Sequence, residues 1–212
     1  MGDYSMAPSS IADMVGALTS KDSKEKLKGF ADAEAYLNEE EVDTDGAPAL
    51  VDALLPSLSE NNPKYVQGAL SLLIALVEVM GEDLAPCIAG VWAPLAERLG
   101  DAKAANRERA VDLSVALATL VVPPAQALDR LKPAWEHKNW RARESALLWF
   151  GRLLASHEPN AGLGIPLKSM LGMVAKVHAR ARRRRAAAVA TRAARGGGAR
   201  RRASGRAARG QP

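Results

Sequence analysis

Apolar side chains recur along this chain at helical spacing, in blocks closed by polar, glycine or proline signals. Ile11, Met14, Val15 and Leu18 form the first stripe, with Ser10 placed to cap it. Asp22-Ser-Lys-Glu25 has the form of a capping box, in which side chains take up the unpaired N–H groups of a first helical turn. It leads into Leu27, Phe30, Ala33 and Leu37. After a connection at residues 39–45, Leu50, Val51, Leu54, Leu55 and Leu58 share a face, and Pro56 is expected to bend that helix. Asn62-Pro63 opens the next, because Asn caps and a proline in the first turn lacks only an N–H that is unpaired anyway. Residues 70–80 are apolar almost all round, as in a helix packed on both sides, and Gly81 ends the run. Leu84, Ile88, Val91, Trp92, Leu95 and Leu99 predict one helix closed by Gly100. Asp101 is expected to cap a helix that runs to Val122 and is broken by Pro123-Pro124. Leu128, Leu131 and Trp135 line another, and Asn139 caps a last one through Leu147, Leu148, Phe150, Leu153 and Leu154. Trp92, Trp135 and Trp149 fall on these stripes and are expected in the core.

These blocks make eight helices in four pairs, with no convincing strand. The strings Leu27-Lys-Gly-Phe-Ala31, Val66-Gln-Gly-Ala-Leu70, Arg107-Glu-Arg-Ala-Val111 and Arg143-Glu-Ser-Ala-Leu147 stand 39, 41 and 36 residues apart. A helical unit recurring at that period predicts an all-α fold, an α-solenoid of HEAT-type antiparallel helix pairs, over residues 10–158. Residues 1–9 are expected to be disordered. Residues 159–177 hold enough apolar side chains to open a fifth pair. Residues 178–212 collapse to Arg, Ala and Gly, with almost nothing to bury, and read as disordered or at best a lone charged helix. Three origins for that tail stay open: a genuine basic linker, a degraded fifth repeat with Arg183 lying 40 after Arg143, or GC-rich DNA translated outside its proper frame.

The net charge of +5 conceals two opposed parts. Residues 1–158 carry −9 and residues 159–212 carry +14. The basic tail, with runs at 180–185 and 200–202, suits non-specific binding of polyanions; it lacks the interleaved aromatics that stack on bases. The single Cys87 cannot form an internal disulfide and is expected as a buried small hydrophobe in a reducing compartment. No uninterrupted apolar run approaches the ~18 residues of a membrane span, so no membrane insertion is expected. Met1-Gly-Asp-Tyr-Ser lacks the features of a signal peptide, and an intracellular soluble protein is the default expectation. Catalysis finds no support. His137, His157 and His178 have no metal-ligand spacing, Gly162-Leu-Gly164 lacks the third glycine of a dinucleotide loop, and neither a cofactor nor a metal is expected.

In a stacked array the turns inside each pair share one edge and the turns between pairs the other. The within-pair turns, residues 20–28, 59–67, 100–109 and 136–144, carry +2, 0, +1 and +1. The between-pair turns, residues 37–46, 80–84 and 121–125, carry −5, −2 and 0. One edge should therefore be basic and the other acidic, a field that steers the basic edge toward an acidic partner.

The run His137-Lys-Asn-Trp-Arg-Ala-Arg-Glu144 resembles the fourth within-pair turn of the N-terminal TOG domain of CLASP-type microtubule-associated proteins. Leu99-Gly-Asp-Ala-Lys103 with Arg107-Glu108 resembles the third turn, Asn61-Asn-Pro-Lys-Tyr-Val-Gln-Gly-Ala-Leu70 the second and Lys21-Asp-Ser-Lys-Glu-Lys26 the first. The resemblance covers about residues 10–156. It implies a flat paddle whose within-pair edge binds αβ-tubulin, in proteins that stabilise and rescue microtubules and organise spindle and cortical arrays in the cytoplasm. The edge residues it implies are Lys24, Lys26, Lys64, Tyr65, Lys103, Arg107, Lys138, Trp140 and Arg141, the cations donating to acidic groups and the aromatics adding apolar area. Bland roles compete for some of them. Trp140 can pack over the preceding helix, and Arg107, Arg143 and Glu144 can form salt-bridge ladders between repeats. Lys103 and Lys138, short of local acids, are the better contacts. Two departures from the family weaken the expected grip on free tubulin: Ser23 stands where many TOG domains carry a first-turn Trp, and four pairs stand where six are usual. The competing reading is a generic HEAT scaffold for other proteins, cytoskeletal ones among them, with a tail that binds nucleic acid non-specifically.

Overall fold

Eight α-helices form on the eight apolar stripes, and their order alone builds the architecture. They are α1 (Ile11–Thr19), α2 (Ser23–Leu37), α3 (Ala47–Ser59), α4 (Pro63–Met80), α5 (Trp92–Arg98), α6 (Ala104–Ala116), α7 (Pro124–Glu136) and α8 (Trp140–Ala155). The computed structural model describes residues 11–39, 42–156, 165, 168, 170–180, 182, 183 and 186. There is no strand among them. The chain divides after Pro166 into two units. In the second, residues 170–180 are helical. Ser10, the expected disordered segment at 1–9, residues 159–164 and most of the tail at 178–212 lie outside the described residues.

Each odd helix packs on the even helix that follows it, and each helix also packs on the next of its own parity. The result is two layers, α1–α3–α5–α7 and α2–α4–α6–α8. This is the expected all-α solenoid of antiparallel pairs, in which no pair buries its apolar face alone. Residues Pro63–Leu84 are long and apolar enough, by length and composition, to cross a membrane. Here α4 instead lies among α2, α3 and α6 and buries Val66, Leu70, Leu73, Leu76 and Val77 against them. Gly68 lets α4 approach α2 closely: a Cβ there would fall 2.7 Å from the Phe30 ring. Trp92, Trp135 and Trp149 are all in the core, as expected, and Trp149 donates its indole N–H to the Ser114 carbonyl at 3.0 Å.

The expected single helix over Leu84–Leu99 does not form. Gly81, at φ +54°, turns the chain at the end of α4 as expected, and two short 3₁₀ turns, Gly81–Leu84 and Ile88–Gly90, precede α5. The prolines explain the break. Neither Pro86 nor Pro94 has an N–H to give, and starting α5 at Trp92 leaves Pro94 in a first turn, where that N–H has no partner to lose. Cys87 therefore sits in a turn and is half-buried, not enclosed in a helix. Helix α6 likewise ends in a π-helical turn, Leu117–Val121, before Pro123-Pro124. On α8, Phe150 and Leu153 are buried as expected. Leu148 and Leu154 are exposed, while Ala146, Trp149, Phe150 and Leu153 are buried on that helix.

Leu73→Ala or Leu117→Ala, each 1% exposed, should lower unfolding free energy by about 2–5 kcal/mol in urea titrations. Two glycine substitutions should have opposite signs in the same assay. Gly68→Ala, which drives a methyl into Phe30, should destabilise by about 1–3 kcal/mol. Gly151→Ala, with open space at its Cβ, should stabilise by up to about 1 kcal/mol.

Candidate functional site

All four even helices begin on one local device. Asp22 Oδ1 accepts the Lys24 N–H at 2.7 Å, Asn62 Oδ1 the Lys64 N–H at 3.0 Å, Asp101 Oδ1 the Lys103 N–H at 2.8 Å and Asn139 Oδ1 the Arg141 N–H at 3.1 Å. Each Asx side chain satisfies a backbone donor that the helix cannot. Each also fixes the residue two places on, and all four of those residues are cations. Asp22, Asn62 and Asn139 are the N-caps themselves, while Asp101 stands two residues before the cap of α6, which starts at Ala104 and not directly after Asp101. The capping box at Asp22 also closes differently from expectation. Glu25 accepts from the Ser20 hydroxyl at 2.5 Å, and that hydroxyl oxygen in turn accepts the Asp22 N–H at 3.1 Å.

Hydrogen bonds then link each turn to the next. Lys26 Nζ donates to Glu60 at 2.5 Å, joining turns one and two, and lies 4.9 Å over the Tyr65 ring, which stacks on Phe30. Gln67 Nε2 donates to Asn106 Oδ1 at 3.2 Å, joining turns two and three. Asn139 Nδ2 donates to the Gly100 carbonyl at 2.7 Å, joining turns three and four. The within-pair turns thus line one edge in order. Inside the third turn, Asp101 gathers Arg98 at 2.8 Å and Asn106 at 3.1 Å on its other oxygen. Burial pushes the Asp101 carboxyl up, but the hydrogen bonds from the Lys103 N–H, Asn106 and Arg98, with the charge of Arg98, outweigh it and hold the group below the ordinary carboxylate range.

The nine expected edge residues separate into two groups. Lys24, Lys64, Lys103 and Lys138 are exposed and make no ion pair among the described residues. Trp140 is 39% exposed, with the half-buried Arg141 guanidinium 5.2 Å over its ring. These six present side chains to solvent on one edge. Lys26 and Tyr65 are each only 8% exposed and belong to the α2–α4 packing. Arg107 is half-buried and donates to the Asp101 and Ala102 carbonyls. Arg143, 8% exposed, does the same for the His137 and Lys138 carbonyls, so these arginines brace the turns. Asp101 was expected only as a helix cap, and the positioning roles of Asn106 and Gln67 were not singled out by motif reasoning. The signal for the Asx series was present all the same: Asp22, Asn62, Asp101 and Asn139 stand 40, 39 and 38 residues apart, each with Lys or Arg two places later.

No family model matches this sequence. The CLIP-associated protein of Arabidopsis thaliana is 34% identical over 96 residues, which are 45% of this chain and 7% of that protein. The chain therefore spans under a tenth of the length of that relative. Among solved structures, the MAST/Orbit N-terminal domain superposes with a TM-score of 0.66 at 26% identity, over 71% of this chain and 68% of the other. A TOG domain of crescerin superposes with a TM-score of 0.53 at 20% identity, over 65% and 57%, which bears on the fold alone. Helices α1–α8 are thus similar in sequence to part of a CLIP-associated protein and in fold to TOG domains.

Proposed function

We propose that this domain binds αβ-tubulin through the within-pair edge, with Lys24, Lys64, Lys103, Lys138, Trp140 and Arg141 as the contacts. The observation that carries the reading is where the cations sit. A helix N-terminus is the positive end of the helix dipole, so Lys or Arg in that first turn disfavours the helix by about 0.3–1 kcal/mol. The chain places one there on all four even helices, and only α2 has an acid in its first turn. A partner that is itself acidic explains a row of cations that the helices alone do not favour. The indole and guanidinium of Trp140 and Arg141 supply the flat, partly desolvated anchor at the end of that row.

The likeness to CLIP-associated proteins supports the same partner. On this reading the protein works on the microtubule cytoskeleton in stabilisation or rescue, in spindle or cortical arrays. It engages its partner by binding and not by catalysis. The tail, with +14 over residues 159–212, adds non-specific attraction to acidic surfaces.

The full chain should co-sediment with microtubules or co-elute with αβ-tubulin, and Lys103→Glu with Lys138→Glu together should weaken that association by about tenfold or more at physiological salt. Undiminished binding by the double variant would place the affinity in the tail or another face and sink the edge assignment. Asn139→Ala separates positioning from contact. It removes both the cap of α8 and the bond to Gly100, so it should lower stability by about 1–2 kcal/mol and weaken tubulin binding as well. Lys138→Glu should affect binding alone.

A further inference from the structure

The opposite edge carries a feature that the tubulin-binding reading leaves unused. Between the 3₁₀ turn Gly81–Leu84 and the π-helical end of α6 runs an open groove of about 460 Å³. Its floor and walls include Ala118, Leu120, Val122, Pro123 and Pro124, and Glu82 stands on its rim. Leu120 is 43% exposed, a large aliphatic side chain held out by the π turn, while its neighbours Leu117, Ala118 and Val121 are buried.

Two independent sources of negative potential meet at this groove. Glu82 and the adjacent Asp83 are exposed carboxylates on a between-pair edge whose turns sum to −7. The second source is backbone. The last carbonyls of any helix lack donors from within it, and they form the negative end of its dipole. Val122 N–H is spent on the Leu117 carbonyl at 2.9 Å, and Pro123 and Pro124 have no N–H to offer residues 118–121. The groove thus combines an aliphatic floor, a carboxylate rim and a helix end that favours positive charge.

We propose that this groove is a second docking surface, which takes an extended peptide of another protein bearing an arginine next to a large aliphatic side chain. The aliphatic group covers Leu120 and Val122. The guanidinium reaches Glu82 and the carbonyls at the end of the π turn, a planar donor set suited to several oxygens at once. A polyanion is repelled by the same rim. The chain's own tail matches the charge but not the floor, since Val189 is the only aliphatic side chain larger than Ala in residues 178–212. With cations on one edge and this groove on the other, both surfaces can be occupied together.

The test is titration of the ¹⁵N-labelled full chain with the peptide acetyl-Gly-Arg-Leu-Arg-Gly-amide. Saturable amide shifts centred on Glu82 and residues 118–122 are expected. Glu82→Lys should weaken binding about tenfold and Leu120→Ser about fivefold, with near-ultraviolet circular dichroism unchanged in both. Replacing Leu by Ser in the peptide should weaken binding similarly, and Lys64→Glu on the far edge should leave it unaltered. The proposal is overturned if no saturation occurs by about 1 mM. It is equally overturned if the Ser peptide binds as well as the Leu peptide, since charge alone then suffices. A peptide of residues 178–190 that binds more tightly than the probe would also overturn it, by making the chain its own ligand. Tubulin association should survive Glu82→Lys, so failure here and failure of the tubulin-binding reading are separately visible.

Discussion

The first N–H groups of a helix find no acceptor inside it, and this chain meets that shortage in the same way at the start of α2, α4, α6 and α8. A short Asx side chain turns back onto the N–H two residues ahead. Much of the rest depends on that bond. It sets where each even helix starts, and so which residues face the neighbouring layer. It holds the turn in one conformation. It also places a cation at the positive end of each helix, where helix energetics alone would not put it. The same side chains then reach sideways. Asn139 bonds Gly100 in the preceding turn, while Asp101 holds Asn106, which takes a bond from Gln67.

Stacking supplies what the caps cannot. Each helix meets its pair mate and its same-layer neighbours, and the tryptophans show how completely the interior closes: Trp135 and Trp149 are 1% and 0% exposed. The two edges nevertheless close by different chemistry. Within pairs, side-chain oxygens and arginines such as Arg107 and Arg143 tie down backbone groups. Between pairs, Gly81 and the Pro123-Pro124 step turn the chain, helped at the first connection by a bond from the Asp43 N–H to the Tyr36 hydroxyl. Leucine and carboxylates are left exposed there, which is why the second edge has a groove and the first has a row of cations.

Helix existence was legible from stripe and punctuation because both are local. Asn62, Asn139 and Gly81 each act where their local sequence places them. The break before α5 was less legible, since Leu84, Ile88, Val91 and Leu95 keep helical spacing while Pro86 and Pro94 remove the donors a continuous helix needs. The candidate site was legible as an edge but only partly as residues. Lys26 and Tyr65 look like a turn cation and a turn aromatic. Their burial arises from Glu60 and Phe30, 34 residues on and 35 residues back respectively, and no local pattern reports such contacts. Arg143 was readable as structural, in salt bridges between repeats, whereas its bonds to the His137 and Lys138 carbonyls brace its own turn.

How much the edge can do with few anchors follows from how firmly it is held. Side chains and loops that order on binding subtract from affinity, by about 0.5–1.5 kcal/mol for each rotamer-rich side chain immobilised. Here the backbone of each within-pair turn is already fixed by an Asx bond, and three cross-turn bonds set their mutual positions. The ordering that remains is confined largely to the lysine side chains. Trp140 and Arg141 start from a mutual stack and have less freedom to lose. With Ser23 opening α2, the binding proposed for this edge rests on preorganisation and charge more than on buried area. Salt should therefore act on it strongly, because exposed lysines are screened within a Debye length of about 8 Å at physiological ionic strength.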